Sequence, residues 1–176
     1  MRNMGLRDEV AYFLKHFKNL RSLDLSDNQL TRLPEALSLM PDLEYLYLPR
    51  NRMQLTEHTR KKLGEMRRLK VLDLVSNPLL NAPDVSLQSN LRELLLRDCG
   101  LKEFPAGVGQ LPYLEHVDLR GNQITTLPEW LLRLPRLAAQ AFNLQSNPLS
   151  VESTDALEVY LDRVGVGMGF RGDDIR

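Results

Sequence analysis

Residues 20–30 read Leu20-Arg-Ser-Leu23-Asp-Leu25-Ser-Asp-Asn28-Gln-Leu30, which spaces apolar residues and one asparagine as LxxLxLxxNxL. The same pattern returns five more times, with a polar or cysteine residue in the asparagine position. This position is occupied in turn by Asn28, Asn51, Asn77, Cys99, Asn122 and Asn147. The copies follow one another at a nearly constant interval, which predicts a chain built from stacked, similar units.

The motif and its period are typical of the leucine-rich repeat. In each copy the LxL segment predicts a short strand whose two apolar residues point inward and whose intervening residue points outward. The asparagine follows the strand, where its side-chain amide can pair with backbone groups that the turn would otherwise bury. We therefore predict an α/β solenoid, a leucine-rich-repeat right-handed superhelix of about six repeats. Its concave face would carry a short parallel β-sheet, and its convex face short helices and turns.

The repeats divide the chain into four segments. Six repeats fill residues 20–149, and the amphipathic residues 150–165 predict a C-terminal capping helix that stops at Gly165. Residues 1–19 predict either a helical N-terminal cap or the convex half of a partial repeat. Their predicted apolar helix face consists of Val10, Phe13, Leu14 and Phe17. The glycine-rich residues 166–176 predict a linker toward a further domain. In the second repeat, apolar spacing predicts a longer α-helix over Thr56–Arg68, capped near Thr56.

Charge and composition restrict the classes of partner. The chain has 23 basic and 23 acidic side chains and a formal net charge of zero, which gives no reason to expect nucleic acid or an anionic membrane. No apolar run approaches the roughly 20 residues of a membrane span, and the N-terminus does not resemble a signal peptide. The single cysteine, Cys99, excludes an internal disulfide and zinc-finger spacing. We expect no cofactor and no metal.

The sequence also lacks a recognisable catalytic group. Cys99 stands in an asparagine position of the repeat, so we interpret it as structural and, like most buried thiols, unreactive. The three histidines are far apart in the repeat scheme. Gly167-Met-Gly-Phe-Arg-Gly172 spells GxGxxG, but it lacks the preceding strand and following helix of a dinucleotide site. We therefore predict that this chain is not an enzyme.

The strand register predicts a protein-binding surface on the concave face. Its candidate contact residues are Tyr45, Tyr47, Val71, Asp73, Val75, Glu93, Leu95, Arg97, His116, Asp118 and Arg120. The apolar members, together with Pro49, would form an exposed cluster over repeats two to four. We hypothesise that Tyr45 and Tyr47 anchor a protein partner while Arg97 and Arg120 set its orientation. The alternative is that Val71 and Val75 only reflect the preference of valine for strands.

Three stretches resemble one particular bacterial group. They are Leu20–Pro34, Leu94-Leu-Leu-Arg-Asp-Cys-Gly-Leu101, and the ending Asn147–Ser150 followed by Val164–Phe170. They are similar to the repeat region of pseudomonad-type effectors that carry a NEL ubiquitin ligase domain, relatives of the IpaH family. The resemblance implies that the repeats select a target protein and can hold a separate catalytic domain inactive.

The chain departs from that group because its one cysteine lies in a repeat position, so no catalytic residue is carried over. Its repeats are also longer than the compact IpaH repeats. The resemblance implies a monomeric recognition module of a larger bacterial effector, delivered to a host cytoplasm. The alternatives are a fragment of a NEL-type ubiquitin transferase whose catalytic domain lies outside this chain, and a non-enzymatic repeat scaffold.

Overall fold

The computed structural model describes residues 1–172, and its central element is a six-stranded sheet. The strands are β1 Ser22–Asp24, β2 Tyr45–Tyr47, β3 Val71–Asp73, β4 Glu93–Leu95, β5 His116–Asp118 and β6 Phe142–Asn143. Each strand pairs in parallel with the next one along the chain. One strand per repeat in sequential order is the architecture of a solenoid, which confirms the predicted fold class.

The register aligns equivalent residues of successive repeats in columns across the sheet. The last residue of each strand faces outward, and these residues form a column that we call the central column: Asp24, Tyr47, Asp73, Leu95, Asp118 and Asn143. The preceding residue of each strand belongs to the core. These inward residues are Leu23, Leu46, Leu72, Leu94, Val117 and Phe142, all of them buried. Because side chains alternate between the two faces of a strand, the inward column fixes which residues remain for a partner.

The convex side is built from short helices. They are α1 Val10–Leu14, α2 Glu57–Gly64, α3 Arg136–Ala139 and α4 Val151–Val164, supplemented by 3-10 turns at Glu35–Leu39, Val108–Gln110 and Leu131–Arg133. Helix α2 begins where the sequence predicted, and the hydroxyl of its N-cap Thr56 accepts the N–H of Thr59 at 3.2 Å. It ends four residues earlier than the predicted Arg68. Its last residue, Gly64, packs so closely on the next repeat that a Cβ would lie 2.4 Å from the carbonyl oxygen of Asp84.

The N-terminal segment has the geometry of the second half of a repeat. Asn28 accepts hydrogen bonds from the N–H groups of Met4 (3.1 Å) and Leu6 (2.9 Å) through its side-chain oxygen. Asn122 does the same for Cys99 and Leu101 in the fourth repeat. Residues 3–6 therefore occupy the positions that a strand-to-turn segment occupies elsewhere in the stack.

The predicted helix face at this end is only partly correct. Val10 and Leu14 are buried, but Phe13 is 62% and Phe17 48% exposed. Helix α1 covers only five residues and ends at Leu14, so Phe17 lies beyond it, whereas Phe13 lies within the helix but on its solvent-exposed side. The ring of Tyr12 packs edge-on against that of Phe13 at the solvent-exposed surface.

The C-terminal end is covered by α4 and by a hairpin that the sequence did not predict. Residues 166–172, expected to begin a linker, contain the antiparallel strands β7 Val166–Gly167 and β8 Phe170–Arg171. Met168 at the turn is fully buried, its carbonyl accepts the N–H of Leu144 at 2.9 Å, and its N–H donates to Ala139 at 3.1 Å. The hairpin thus continues the hydrogen bonding of β6. The rest of the predicted linker, 173–176, lies outside the described residues.

Candidate protein-binding face

An asparagine ladder runs beside the sheet and holds the repeats in register. Asn77 is fully buried, and its amide nitrogen donates to the carbonyls of Leu48 (2.9 Å) and Leu74 (3.0 Å) in two adjacent repeats. Its side-chain oxygen accepts the N–H of Met53 at 3.0 Å. Asn51, Asn122 and Asn147 make the equivalent bonds. Each asparagine therefore satisfies backbone groups that would otherwise be buried without partners.

Cys99 occupies the ladder position of the fourth repeat and can replace only part of this bonding. Its thiol donates to the carbonyl of Leu74 at 3.1 Å. Since it offers no amide oxygen, the N–H of Leu79 donates instead to the backbone carbonyls of Asn77 (2.8 Å) and Cys99 (3.3 Å). Burial raises the pKa of the Cys99 thiol to about 12. Such a thiol is a weak nucleophile at neutral pH.

The acidic residues of the central column are held by hydrogen bonds from their own backbone. The carboxylates of Asp24, Asp73 and Asp118 each accept the N–H of the residue two positions later, at 2.9, 3.0 and 3.1 Å. The amide oxygen of Asn143 accepts that of Gln145 at 3.2 Å. This local bond points each side chain along the concave face in a fixed direction. The central column is therefore an ordered row of acceptors.

Tyr47 and Leu95 interrupt that row, and Tyr45 stands beside Tyr47 on β2. Tyr45 and Tyr47 are both half-buried and lie side by side on the outward face. Tyr47 stands in register between Asp24 and Asp73. Burial raises the pKa of the Tyr47 hydroxyl, and the negative charge of Glu93 adds to this effect. A protonated phenol on an exposed ring can both donate a hydrogen bond and cover apolar area, as contact tyrosines in interfaces do.

The exposed apolar cluster expected around these tyrosines is smaller than the sequence indicated. Pro49 is buried, and Val71 and Val75 are each only 8% exposed. Val71 is in register with Tyr45, whose ring at strand spacing is large enough to cover it. Tyr45, Tyr47 and Leu95 thus remain as the half-buried apolar members of the predicted surface. The two valines act as support beneath the face.

The arginines expected to orient a partner are already bonded within the chain. The guanidinium group of Arg120 donates two hydrogen bonds, of 2.8 and 2.6 Å, to the carboxylate of Asp118, which is only 5% exposed. Burial favours the protonated form of Asp118, but the hydrogen bonds and charge of Arg120 outweigh it and lower the pKa. Arg97 lies 3.4 Å from Asp98. His116, also predicted as a contact residue, is exposed on β5.

Sequence reasoning missed the ion pairs that line both rims of the sheet. On the rim where the strands begin, the side chain of Lys70 donates to Glu44 at 2.8 Å, and that of Arg92 to Glu115 at 2.5 Å. On the opposite rim, Asp27 binds both Arg50 and Arg2. The paired residues of neighbouring repeats occupy equivalent positions in their repeats. A search of the sequence for opposite charges one repeat apart would therefore have found these pairs. These pairs leave the two rims nearly neutral.

Neither a metal-binding group of side chains nor a membrane-spanning helix occurs among the described residues. No three His, Cys, Asp or Glu side chains come together there as a metal-binding group would require. Within residues 1–172, none of the helices has both the length and the apolar character needed to cross a membrane.

Comparison with known proteins identifies the family. The profile described as Leucine rich repeat matches residues 10–53 and 89–149. The chain belongs to the leucine-rich-repeat family. Among the relatives of this leucine-rich-repeat chain is Receptor like protein 28 of Arabidopsis thaliana, 37% identical over 53% of this chain and 13% of the relative. Tubulin-specific chaperone E of Mus musculus is 29% identical over 89% of this chain and 36% of the relative.

One solved structure of the same fold contains a bound peptide. The leucine-rich-repeat chain superposes with a TM-score of 0.62 on the Arabidopsis receptor kinase HAESA, solved in complex with the peptide hormone IDA and the co-receptor SERK1. The two are 25% identical, and the match covers 81% of this chain and 24% of HAESA. The chain thus spans only a minor part of the relatives it matches. None of the proteins named here is a NEL ligase, so that finer resemblance stays a prediction.

Proposed function

We propose that this leucine-rich-repeat chain binds a protein or peptide segment through its concave face, with Tyr45 and Tyr47 as the anchoring side chains. The observation that carries the proposal is the position of the two rings. They stand half-buried on the outward side of β2, on a sheet whose rim charges are largely paired. Rigid aromatic side chains on an ordered surface lose little conformational entropy on binding, which makes them effective anchors.

The bound peptide of HAESA supports this proposal by analogy, because that receptor shares the fold and holds a peptide hormone. A sheet of six parallel strands spaced about 4.8 Å apart spans roughly 25 Å, which an extended segment of about eight residues can cross. A ligand of that size could contact the tyrosines of β2 and the charged residues of β4 and β5 together.

A peptide-display experiment tests the proposal. A random twelve-residue library is selected on the immobilised chain, and the affinities of the enriched peptides are measured by fluorescence anisotropy. For the Tyr45→Ala/Tyr47→Ala double variant, we expect affinity to fall about 30-fold or more, as for hot-spot residues. Tyr113→Ala is the matched control, since Tyr113 is 57% exposed and lies outside the strands. Enriched peptides that bind wild type and double variant equally well would remove the tyrosines from the site.

A second, narrower candidate is a target-recognition module of a bacterial NEL ligase effector delivered to host cells. It is supported by the similarity of Leu94–Leu101 and of the glycine-rich ending. The structure gives that ending another explanation, because Gly169 allows the hairpin to approach Asn143 of β6, and Gly167 lies against Ala139 and Tyr160. Sequencing the gene beyond Arg176 tests this candidate: a following NEL-like domain with its own cysteine supports it, and a different continuation or a stop codon contradicts it.

A further inference from the structure

Four residues of the concave face form what we call the acid–tyrosine patch: Tyr45, Tyr47, Asp73 and Glu93. Tyr47 is in register with Asp73 on the adjacent strand. Tyr45 is in register with Val71, which is in turn in register with Glu93. Because neighbouring strands lie about 4.8 Å apart and residues rise about 3.3 Å along a strand, the backbone positions of the four residues lie within about 12 Å of one another.

The two carboxylates of the patch have no cation bound to them. Asp73 accepts one hydrogen bond, from the backbone N–H of Val75 at 3.0 Å. Among the described residues, no side chain donates a hydrogen bond to the carboxylate of Glu93. Burial raises the pKa of Asp73, and the charges of Arg50 and Arg97 reduce this effect without reversing it. The patch therefore holds negative charge that the chain itself does not neutralise.

The charged residues around the patch are occupied differently. Arg50 is bound to Asp27 at 2.9 Å, Lys70 to Glu44 at 2.8 Å and Arg120 to Asp118 at 2.6 Å. Each of these cations already has a carboxylate partner within its own rim or column. The acid–tyrosine patch therefore combines two aromatic rings with two carboxylates that have no ion-pair partner, whereas the charges around it are largely paired.

We propose that the acid–tyrosine patch binds an arginine side chain presented by an extended segment of the partner protein. This inference rests on the proposed function and adds the chemistry that the partner must supply. A guanidinium group can stack on a tyrosine ring while its N–H groups donate to one or both carboxylates. Arginine fits this combination better than lysine because its charged group is planar and carries five donors in fixed directions.

The charge-neutral double variant Asp73→Asn/Glu93→Gln removes the charge and keeps the shape. Asn143 shows that an asparagine in the central column still accepts the backbone N–H two residues later. The folded pKa of Asp73 is raised, so its ionised form disfavours folding above the carboxylate's unfolded pKa of about 4. We therefore expect the variant to unfold at the same or a higher temperature than wild type at pH 7, so a loss of binding would report on recognition.

The test uses the displayed peptide library on the full chain. We expect peptides enriched on wild type to share one arginine position. Replacement of that arginine by norleucine in a synthetic peptide should weaken binding about tenfold or more. Asp73→Asn/Glu93→Gln should weaken the arginine peptide by a similar factor and leave the norleucine peptide unchanged. Glu35→Gln/Glu103→Gln, which removes two exposed carboxylates outside the sheet, is the charge-matched control and should change neither affinity.

The outcomes separate this inference from the proposed function. Peptides that depend on Tyr45 and Tyr47 but lack a basic residue, or that bind the Asp73→Asn/Glu93→Gln variant equally well, overturn the inference alone. Equal affinity for arginine and lysine peptides overturns the guanidinium geometry. Failure to enrich any peptide, or binding that ignores both tyrosines, overturns the proposed function together with the inference.

Discussion

The side-chain oxygen of Asn122 accepts the N–H of Cys99 at 3.1 Å, although the two residues occupy the same position in consecutive repeats. Cys99 cannot accept an equivalent hydrogen bond from the preceding repeat, because its side chain has no amide oxygen. Its thiol donates to Leu74, but the N–H of Leu79 must find backbone carbonyls instead. The fourth repeat therefore has weaker side-chain hydrogen bonding at the ladder position than the repeats that carry asparagine.

Replacing an asparagine of the ladder by cysteine should destabilise the chain, and replacing Cys99 by asparagine should stabilise it. Asn77→Cys would leave the buried N–H of Met53 without its acceptor, at a cost of about 1–3 kcal/mol in the free energy of unfolding. Cys99→Asn would give the N–H of Leu79 a side-chain acceptor in place of the backbone carbonyls of Asn77 and Cys99, and should add about 1 kcal/mol. Urea unfolding at pH 7 measures both. A stabilising Asn77→Cys, or a Cys99→Asn that destabilises the chain, would contradict this account of the ladder.

The thiol of Cys99 should be protected as long as the chain is folded. With a pKa of about 12 and 1% exposure, roughly one thiol in ten thousand is ionised at pH 8, and it is out of reach of reagents. We expect alkylation by iodoacetamide to be limited by opening of the structure, and its rate to rise in urea in parallel with unfolding. The labelling rate followed by mass spectrometry checks this. Rapid labelling without denaturant would show that the thiol is accessible in the folded chain.

Two glycines near the C-terminal hairpin, Gly165 and Gly169, have nearly the same φ but should differ in their tolerance of alanine. Gly165 and Gly169 have φ of +84° and +86°, but a Cβ on Gly165 meets open space, whereas one on Gly169 would lie 2.4 Å from the side-chain oxygen of Asn143. Gly165→Ala should therefore cost about 1 kcal/mol from backbone strain alone.

Gly169→Ala should cost more, by about 1–2 kcal/mol, because Asn143 must also move and give up its bond to Gln145. Thermal unfolding of the two variants measures the difference. Equal melting temperatures would mean that the hairpin does not pack on β6 as described.

The pair of Arg120 with Asp118 should make stability depend on pH. The pKa of Asp118 is lowered in the folded state, so its stabilising contribution is present above the unfolded pKa of about 4 and is lost as the pH falls through the folded value. Arg120→Gln should cost about 1–3 kcal/mol at pH 7, because a nearly buried carboxylate loses two charge-assisted hydrogen bonds.

The cost should be smaller at pH 3, because Asp118 of the variant then approaches full protonation in both the folded and the unfolded state. Guanidinium unfolding at the two pH values provides the measurement, and Arg133→Gln, which removes an exposed partner of Glu129, is the control. A penalty of the same size at both pH values would exclude the ion pair as its source.

The sequence predicts the repeat architecture, the strand register and the capping position of Thr56, because each is encoded by local spacing. It fails where neighbouring repeats decide the outcome. Val71 and Val75 are expected to be exposed, yet both are buried, and Val71 lies in register with the large side chain of Tyr45 on the adjacent strand. Phe17 matches helical spacing, but the helix ends at Leu14; Phe13 lies within the helix and is exposed all the same. The hairpin around Met168 gives no periodic signal, because each of its strands has only two residues.

The two ends of the described sheet differ in a way that matters for protein engineering. At one end, the carbonyl of Met168 already takes the N–H of Leu144, so a repeat grafted after β6 would first have to displace the hairpin. At the other end, residues 3–6 bond to the turn that follows β1, but among residues 1–172 the strand β1 itself pairs only with β2. We therefore expect designed repeats to be tolerated when they are inserted before Leu20 but not when they are inserted after Asn143. The array can be lengthened by design at its N-terminal end only.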